Sequence, residues 1–244
     1  MRAPVDKSSP FVSGWKPKVR SAVFEGPERF GIRLERLEDT ASFVDDASTT
    51  SPGLMNAAAT IPGMINHRRG MYYYWLAYAG VPGDIIELGC WQGRSTAFLA
   101  QACKDSGNGI VHVVDTFRGN PGNEAVYQVS DDLQASFESN MTRLGLSGHT
   151  RVYPGPSQDR AAEVTAQAPD ARMLVIDAEH TYDAVRAELD LYAGALAIGG
   201  ILAFDDYSKE YPGVAQAVNE HIETTKRYAT PMQDRGLLVA RRVR

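Results

Sequence analysis

The sequence predicts an α/β fold: a doubly wound, mostly parallel seven-stranded sheet with helices on both faces and a terminal antiparallel strand. Three observations predict it. From about position 84 onward, five short apolar β-prone runs alternate with five helix-patterned segments, the order that parallel strands with covering helices require. The chain then ends in two β-prone runs around Asp234-Arg235-Gly236, which read as a terminal strand pair. Finally, 244 residues of which 43% are apolar, without a low-complexity tract, can bury one sizeable core.

Residues 1–28 carry Pro4, Pro10, Pro17 and Pro27 among lysines, serines and glycines, a composition that resists helix and central strand and reads as an arm or tail. Residues 29–80 read as an N-terminal helical cap. Its first helix is expected from Phe30 to Asp46, where Leu34, Leu37, Ala41, Phe43 and Val44 recur at helical spacing. The second is expected over Leu54 to Ala79, through the aromatic run from Met71, stopped by Gly80 and Pro82.

The domain proper spans residues 81–244. Its pairs are DIIELG with RSTAFLAQACKDS, IVHVVD with DLQASFESNMTRLG, TRVYPG with DRAAEVTAQ, MLVIDA with DAVRAELDLYAGA, and GILAFDD with GVAQAVNEHIETT.

Composition excludes several classes. A net charge of −5 gives no broad pull toward nucleic acid or anionic lipid, so a small-molecule partner is favoured. The first residues mix charge and proline, and no 18-residue apolar span follows, so neither a signal peptide nor a membrane span is expected. Cys90 and Cys103 form no metal or redox spacing, which fits a reducing cytoplasm.

The segment from Ile85 to Ala100 is strand, glycine turn and helix. Gly89 and Gly93 would let a ligand approach the main chain there, with N–H groups turned toward it. The turn has neither GxGxxG nor GK[ST], which disfavours a pyrophosphate cradle and favours a smaller, cationic nucleoside. Asp115, ending the second strand, suits two ribose hydroxyls. Glu87 suits the positive end of such a cofactor; the alternative for both is an ordinary strand-end acid.

Asp177 ends the fourth strand, and Asp205 and Asp206 end the fifth, so three carboxylates converge on the rim where open α/β sheets bind ligands. Like charges there repel unless a cation neutralises them, and an all-oxygen set suits a hard ion such as Mg²⁺. The competing reading is that the Asp205-Asp206 pair merely caps the next segment. His180, three residues after Asp177, faces the same cavity and is the candidate general base. His67, His112, His149 and His221 fall outside the rim.

Together IELGCWQGRSTAFLA, VVDTF, VIDAEHTYDAVRAELDLY, GGILAFDDY and PGVAQAV resemble the class I S-adenosylmethionine-dependent methyltransferases that O-methylate sugars in natural products. The pattern is similar to the macrolide and aminocoumarin deoxysugar enzymes and the cephalosporin-hydroxylase-like group, over roughly 82–222. The resemblance implies a Rossmann-like fold and S-adenosyl-L-methionine with Mg²⁺ as cofactors. It further implies Glu87, Gly89 and Ser95 at the cofactor's amino-acid end, Asp115 at the ribose, and Ser157 with Gln158 at the adenine edge.

On the acceptor side it implies Asp177, Asp205 and Asp206 as metal ligands, with Asp177 and His180 as the catalytic pair. A homodimer or higher homo-oligomer is expected, with acceptor walls drawn from residues 1–80 and the loop from Arg118 to Asp132. Two alternatives stand beside a sugar O-methyltransferase: a catechol-type enzyme that uses the same metal logic, and a non-catalytic nucleoside-binding accessory protein.

Overall fold

The computed structural model describes residues 57–119, 132–229 and 231–244. The expected arm at 1–28, the expected helix from Phe30 to Asp46 and most of the loop from Arg118 to Asp132 lie outside the described residues.

The single helix expected over Leu54 to Ala79 is interrupted. Proline disfavours helix in the residue before it and cannot donate to a helical ladder. Accordingly, Pro62 and Gly63 lie in an irregular stretch after a helical turn at 57–59. The helix restarts at Asn66, whose side chain accepts the Arg69 N–H at 2.9 Å and caps α1 (His67–Tyr78).

The alternation then follows as expected. β1 (Ile85–Leu88), α2 (Arg94–Ser106), β2 (Val111–Asp115), α3 (Leu133–Arg143), β3 (Thr150–Pro154), α4 (Ser157–Gln167), β4 (Ala171–Ile176), α5 (Tyr182–Tyr192), β5 (Leu196–Phe204) and α6 (Pro212–Thr225) are followed by β6 (Met232–Asp234) and β7 (Leu237–Arg241). The seven strands lie in the order β3-β2-β1-β4-β5-β7-β6. β1 to β5 are parallel, and β7 runs antiparallel to both β5 and β6.

A parallel sheet covered on both faces needs apolar side chains at successive positions, and these strands supply them. Ile85, Val113, Val175 and Ala203 belong to the core shared with α1, α2 and α3. Ile86, Val114, Leu174 and Phe204 belong to the opposite core, under α4, α5 and α6. Gly70 fixes how α1 meets α2, because the Phe98 ring lies where a Cβ would stand. No helix among the described residues is long and apolar enough to cross a membrane.

The chain leaves β1 toward β2 and β3, then returns across β1 to β4. A crevice therefore opens between the carboxyl ends of β1 and β4, the switch point where such sheets bind ligands. The two strand ends approach closely there. Gly89, at φ 85°, has the Asp177 carbonyl where its Cβ would be.

Gly89→Ala should therefore cost roughly 3 kcal/mol, from left-handed strain plus overpacking. Gly107 at the end of α2, at φ 62° with open space around it, should cost only about 1 kcal/mol as alanine. Urea unfolding of both variants checks this; equal costs would mean that the close approach is not what holds Gly89.

Candidate active site

Register sets one row of residues along the rim. Val114 pairs with Leu88, Leu88 with Ile176, and Ile176 with Phe204. The next residue of each strand is therefore Asp115, Gly89, Asp177 and Asp205 in sheet order. Backbone bonds carry the ladder one step further, from Gly89 N–H to Val114 (2.9 Å), Asp177 N–H to Leu88 (2.8 Å) and Asp205 N–H to Ile176 (3.1 Å). Three acids and the glycine turn thus share one edge because the strands end together.

Asp115 builds the turn. Its Oδ2 accepts the N–H groups of Cys90 (2.7 Å) and Trp91 (2.9 Å), and its Oδ1 accepts that of Phe117 (2.7 Å). A carboxylate offers about four in-plane acceptor positions, so the bonds among the described residues leave one, on Oδ1. Gly93 serves packing: with φ 90° it starts α2, and Phe137 and Met141 of α3 occupy the place of its Cβ. Both turn glycines are thus filled from behind by protein, and neither Cβ position is the space a ligand would use. Trp91, Phe117 and Asp206 adopt positive φ of 49°, 53° and 54°, a strained setting for side chains, concentrated at this edge.

Glu87 lies under the turn and is fully buried. Its Oε2 accepts the Thr96 hydroxyl at 2.5 Å, while Oε1 is buried with no aligned hydrogen-bond partner among the described residues. Burial pushes its carboxyl up to about 7; the hydroxyls of Ser95 and Thr96 pull it down, and Asp115 adds repulsion. Ser95 is buried beside it. Ser157 opens α4, where its hydroxyl donates to buried Glu188 at 2.7 Å and its carbonyl accepts from the Tyr192 hydroxyl at 2.5 Å. Gln158 is exposed next to it.

Across the crevice, His180 Nε2 stands 3.0 Å from Asp206 Oδ2 and 3.8 Å from Asp177 Oδ1. That nitrogen is buried, and its N–H is not aligned on either oxygen as a hydrogen bond. One ligand atom from each of Asp177, His180 and Asp206 falls within 4.8 Å of the others, the spacing of donors that can close on one cation. Burial and the neighbouring carboxylates push Asp177 up to about 8. Burial opposes a charge on His180, but Asp177 and Asp206 outweigh it and push it up to about 10.

Asp205 is placed differently. Arg69 of α1 forms an ion pair with its Oδ1, the Asp206 N–H donates to the same oxygen at 2.9 Å, and the Tyr73 hydroxyl donates to Oδ2 at 3.2 Å. Of the three expected metal ligands, two therefore face His180 and the third faces α1.

Comparison with known proteins fits this geometry. A family model described as a methyltransferase domain matches residues 86–207, half of the chain. The chain belongs to this methyltransferase family. Mycinamicin III 3''-O-methyltransferase of Micromonospora griseorubida is 29% identical, over 74% of this chain and 77% of that protein. The 8-demethyl-8-(2,3-dimethoxy-alpha-L-rhamnosyl)-tetracenomycin-C 4'-O-methyltransferase of Streptomyces olivaceus is also 29% identical, over 53% of this chain and 54% of its own length. Among solved structures, the O-methyltransferase NovP superposes with a TM-score of 0.66 at 22% identity, covering 75% of this chain and 82% of that one. The protein is thus a class I S-adenosylmethionine-dependent methyltransferase, and the relatives it matches are O-methyltransferases.

Two residues of this methyltransferase escaped the sequence reading. Arg94, the first residue of α2, donates to the carbonyls of Ile61 (2.6 Å), Gly63 (2.7 Å) and Ile65 (2.9 Å) and so staples the 61–65 loop onto the glycine turn after β1. Gly63 is the local signal, since the Arg94 stem occupies the place of its Cβ. Arg69 joins the rim to the terminal hairpin, because besides Asp205 it donates to the Arg235 carbonyl at 2.7 Å. Nothing in its local sequence marks it.

Glu87 generates a pH prediction. Its folded-state value of about 7 stands above the ordinary 4.5, so folding favours its protonated form. The stability it contributes is intact below about pH 4.5 and is lost as pH rises through about 7. The cofactor-free melting temperature of Glu87→Gln should accordingly fall less than that of wild type across this window. Parallel curves would show that Glu87 is not the titrating group.

Proposed function

We propose that this methyltransferase transfers the methyl group of S-adenosyl-L-methionine to a sugar hydroxyl of a glycoside, polysaccharide or natural product. In this reading Mg²⁺ sits at the acidic rim and His180 takes the hydroxyl proton. The observation that carries it is the juxtaposition of Asp177, Asp206 and the unaligned, buried His180 Nε2 one strand away from the Gly89 turn. The names of the two relatives, both O-methyltransferases and one of them acting on a rhamnosyl product, support the acceptor class.

The donors fit a hard divalent ion. Asp177 and Asp206 supply oxygens from adjacent rim positions, and Asp205 is one residue from joining them. Mg²⁺ prefers oxygen ligands to imidazole, which leaves His180 for the proton. Bound there, the ion would polarise an acceptor hydroxyl and lower its pKa.

The chain's residues divide the remaining work. Asp115 orders the turn and keeps one acceptor position for a ribose hydroxyl. Glu87 lies beneath the turn, where the cofactor's positive amino-acid end would favour the charged form of its carboxyl. Ser95, Ser157 and Gln158 border the cofactor's two ends. His180 stands beside both carboxylates and within reach of an oxygen held against them. Asp177 and Asp206 hold the His180 proton while their charge is uncompensated, so neutralising them frees Nε2 to accept a proton at neutral pH. The His180 ring also lies 4.6 Å, centroid to centroid, from Tyr211, which limits its tilt.

Three measurements test the proposal. Excess EDTA should abolish methyl transfer and Mg²⁺ restore it, with Asp206→Ala losing the rescue; full turnover in EDTA would sink the metal reading. His180→Ala should lower kcat by roughly 10²–10⁴ while cofactor affinity stays within about twofold, and an unchanged kcat would remove His180 as base. On matched panels, glycosides should be methylated and catechols left; preferential catechol turnover would overturn the sugar reading.

A further inference from the structure

We infer that Arg69 is a positioning residue of the acidic rim: a tethered cation that holds Asp205 aside and releases it when a divalent ion enters. The inference rests on the metal reading above. It begins from how Asp205 is bonded. Oδ1 carries both the Arg69 guanidinium and the Asp206 N–H, while Oδ2 carries one bond, from Tyr73. Oδ1 is therefore closed to an ion as long as Arg69 stays.

The neighbouring acids are held differently. Asp177 and Asp206 face His180, on the other side of the crevice. Among the described residues the rim thus has two cationic partners, Arg69 on α1 and His180 before α5, and each takes a different part of the carboxylate set. Asp205 follows β5 and Asp177 follows β4 at adjacent register positions, so a carboxylate freed by Arg69 is one strand away from Asp177.

Arg69 is built to pivot. Its second terminal nitrogen donates to the Arg235 carbonyl at the tip of the β6–β7 hairpin, and its side chain is 14% exposed. It keeps this anchor when the bond to Asp205 opens. The hairpin tip has support of its own: Tyr207 N–H donates to the Gly236 carbonyl at 2.8 Å, and Arg68 forms an ion pair with Asp234 at 3.1 Å. The release therefore needs a rotation of one guanidinium and leaves β6–β7 in place.

The sign of the effect follows from charge. A fixed guanidinium beside a cation site repels a divalent ion and occupies one of its ligands. Removing it should tighten ion binding. If Arg69 instead only orients Asp205 as a ligand, removing it should loosen binding.

The test is Mn²⁺ affinity, measured by electron paramagnetic resonance of the free ion on wild type, Arg69→Met and Asp205→Asn without cofactor or acceptor. Arg69→Met should bind Mn²⁺ tighter by roughly tenfold, and its melting temperature should rise more on adding Mn²⁺ than that of wild type. Asp205→Asn should bind more weakly than wild type. Unchanged or weaker binding by Arg69→Met, or unchanged binding by Asp205→Asn, overturns the release while leaving the metal reading intact. Failure of every protein to bind Mn²⁺ sinks both. Should Arg69→Met fail to fold, Arg69→Gln replaces it: the amide keeps a hydrogen bond to the Arg235 carbonyl without the charge, and the same outcomes decide.

Discussion

The approach of β1 to β4 at the switch point is the contact on which the rest of the site depends. Gly89 has the Asp177 carbonyl in the place of its Cβ, and the ladder bond from Asp177 N–H to the Leu88 carbonyl, 2.8 Å long, ties the two strand ends together. Packed interiors have no slack for an added methyl at such a point. Because the strand ends touch there, the turn that would face a cofactor and the acid that would face an acceptor are neighbours across one hydrogen-bonded pair. A methyl transfer needs donor and acceptor held within near contact, and the sheet sets that distance before any side chain contributes.

The same closeness creates an electrostatic problem. Asp115, Asp177, Asp205 and Asp206 crowd one edge, with Glu87 just beneath it. Each acid is managed in a different way. Asp115 is surrounded by backbone N–H groups, Asp205 has a guanidinium and a phenol, and Glu87 has a hydroxyl and a carboxyl pushed up to about 7. Asp177 has His180 Nε2 at 3.8 Å, and burial with the repulsion of Asp205 pushes its carboxyl up to about 8. It stands where the others' charges add, so it is the position at which an added cation relieves most repulsion.

The sheet was legible because its signal is local and repeated. Runs such as IIEL and VHVVD are apolar on both faces, as strands covered on two sides must be, and each helix lies within a single stretch of pattern. The acids at the strand ends followed from register alone. The break at Pro62 was also written in the sequence, but the aromatic run after Met71 continued the apolar pattern across it and hid the restart at Asn66. Gly93 reads as room for a ligand when the turn alone is considered; the side chains filling that room, Phe137 and Met141, come from another element. Arg69 was illegible for a deeper reason. An arginine in the first turn of a helix reads as a solvated residue, and its partner Asp205 lies 136 residues away.

Arg69 and Arg94 together tie the segment before the sheet to both sides of the crevice. Arg94 fastens the 61–65 loop to the β1 turn through three neutral carbonyls, and Arg69 fastens the start of α1 to the β5 end through a carboxylate. These attachments answer a ligand differently. Carbonyls within a packed loop meet no competitor when a cation arrives, whereas a carboxylate at the rim does, and it gains more from a divalent ion than from one guanidinium. On the proposed reading, the Arg94 side would be the fixed edge of the covering segment and the Arg69 side the edge that responds. The β1 turn would then keep its shape while the rim adjusts, an ordering that would suit a constant methyl donor and an acceptor fitted to it.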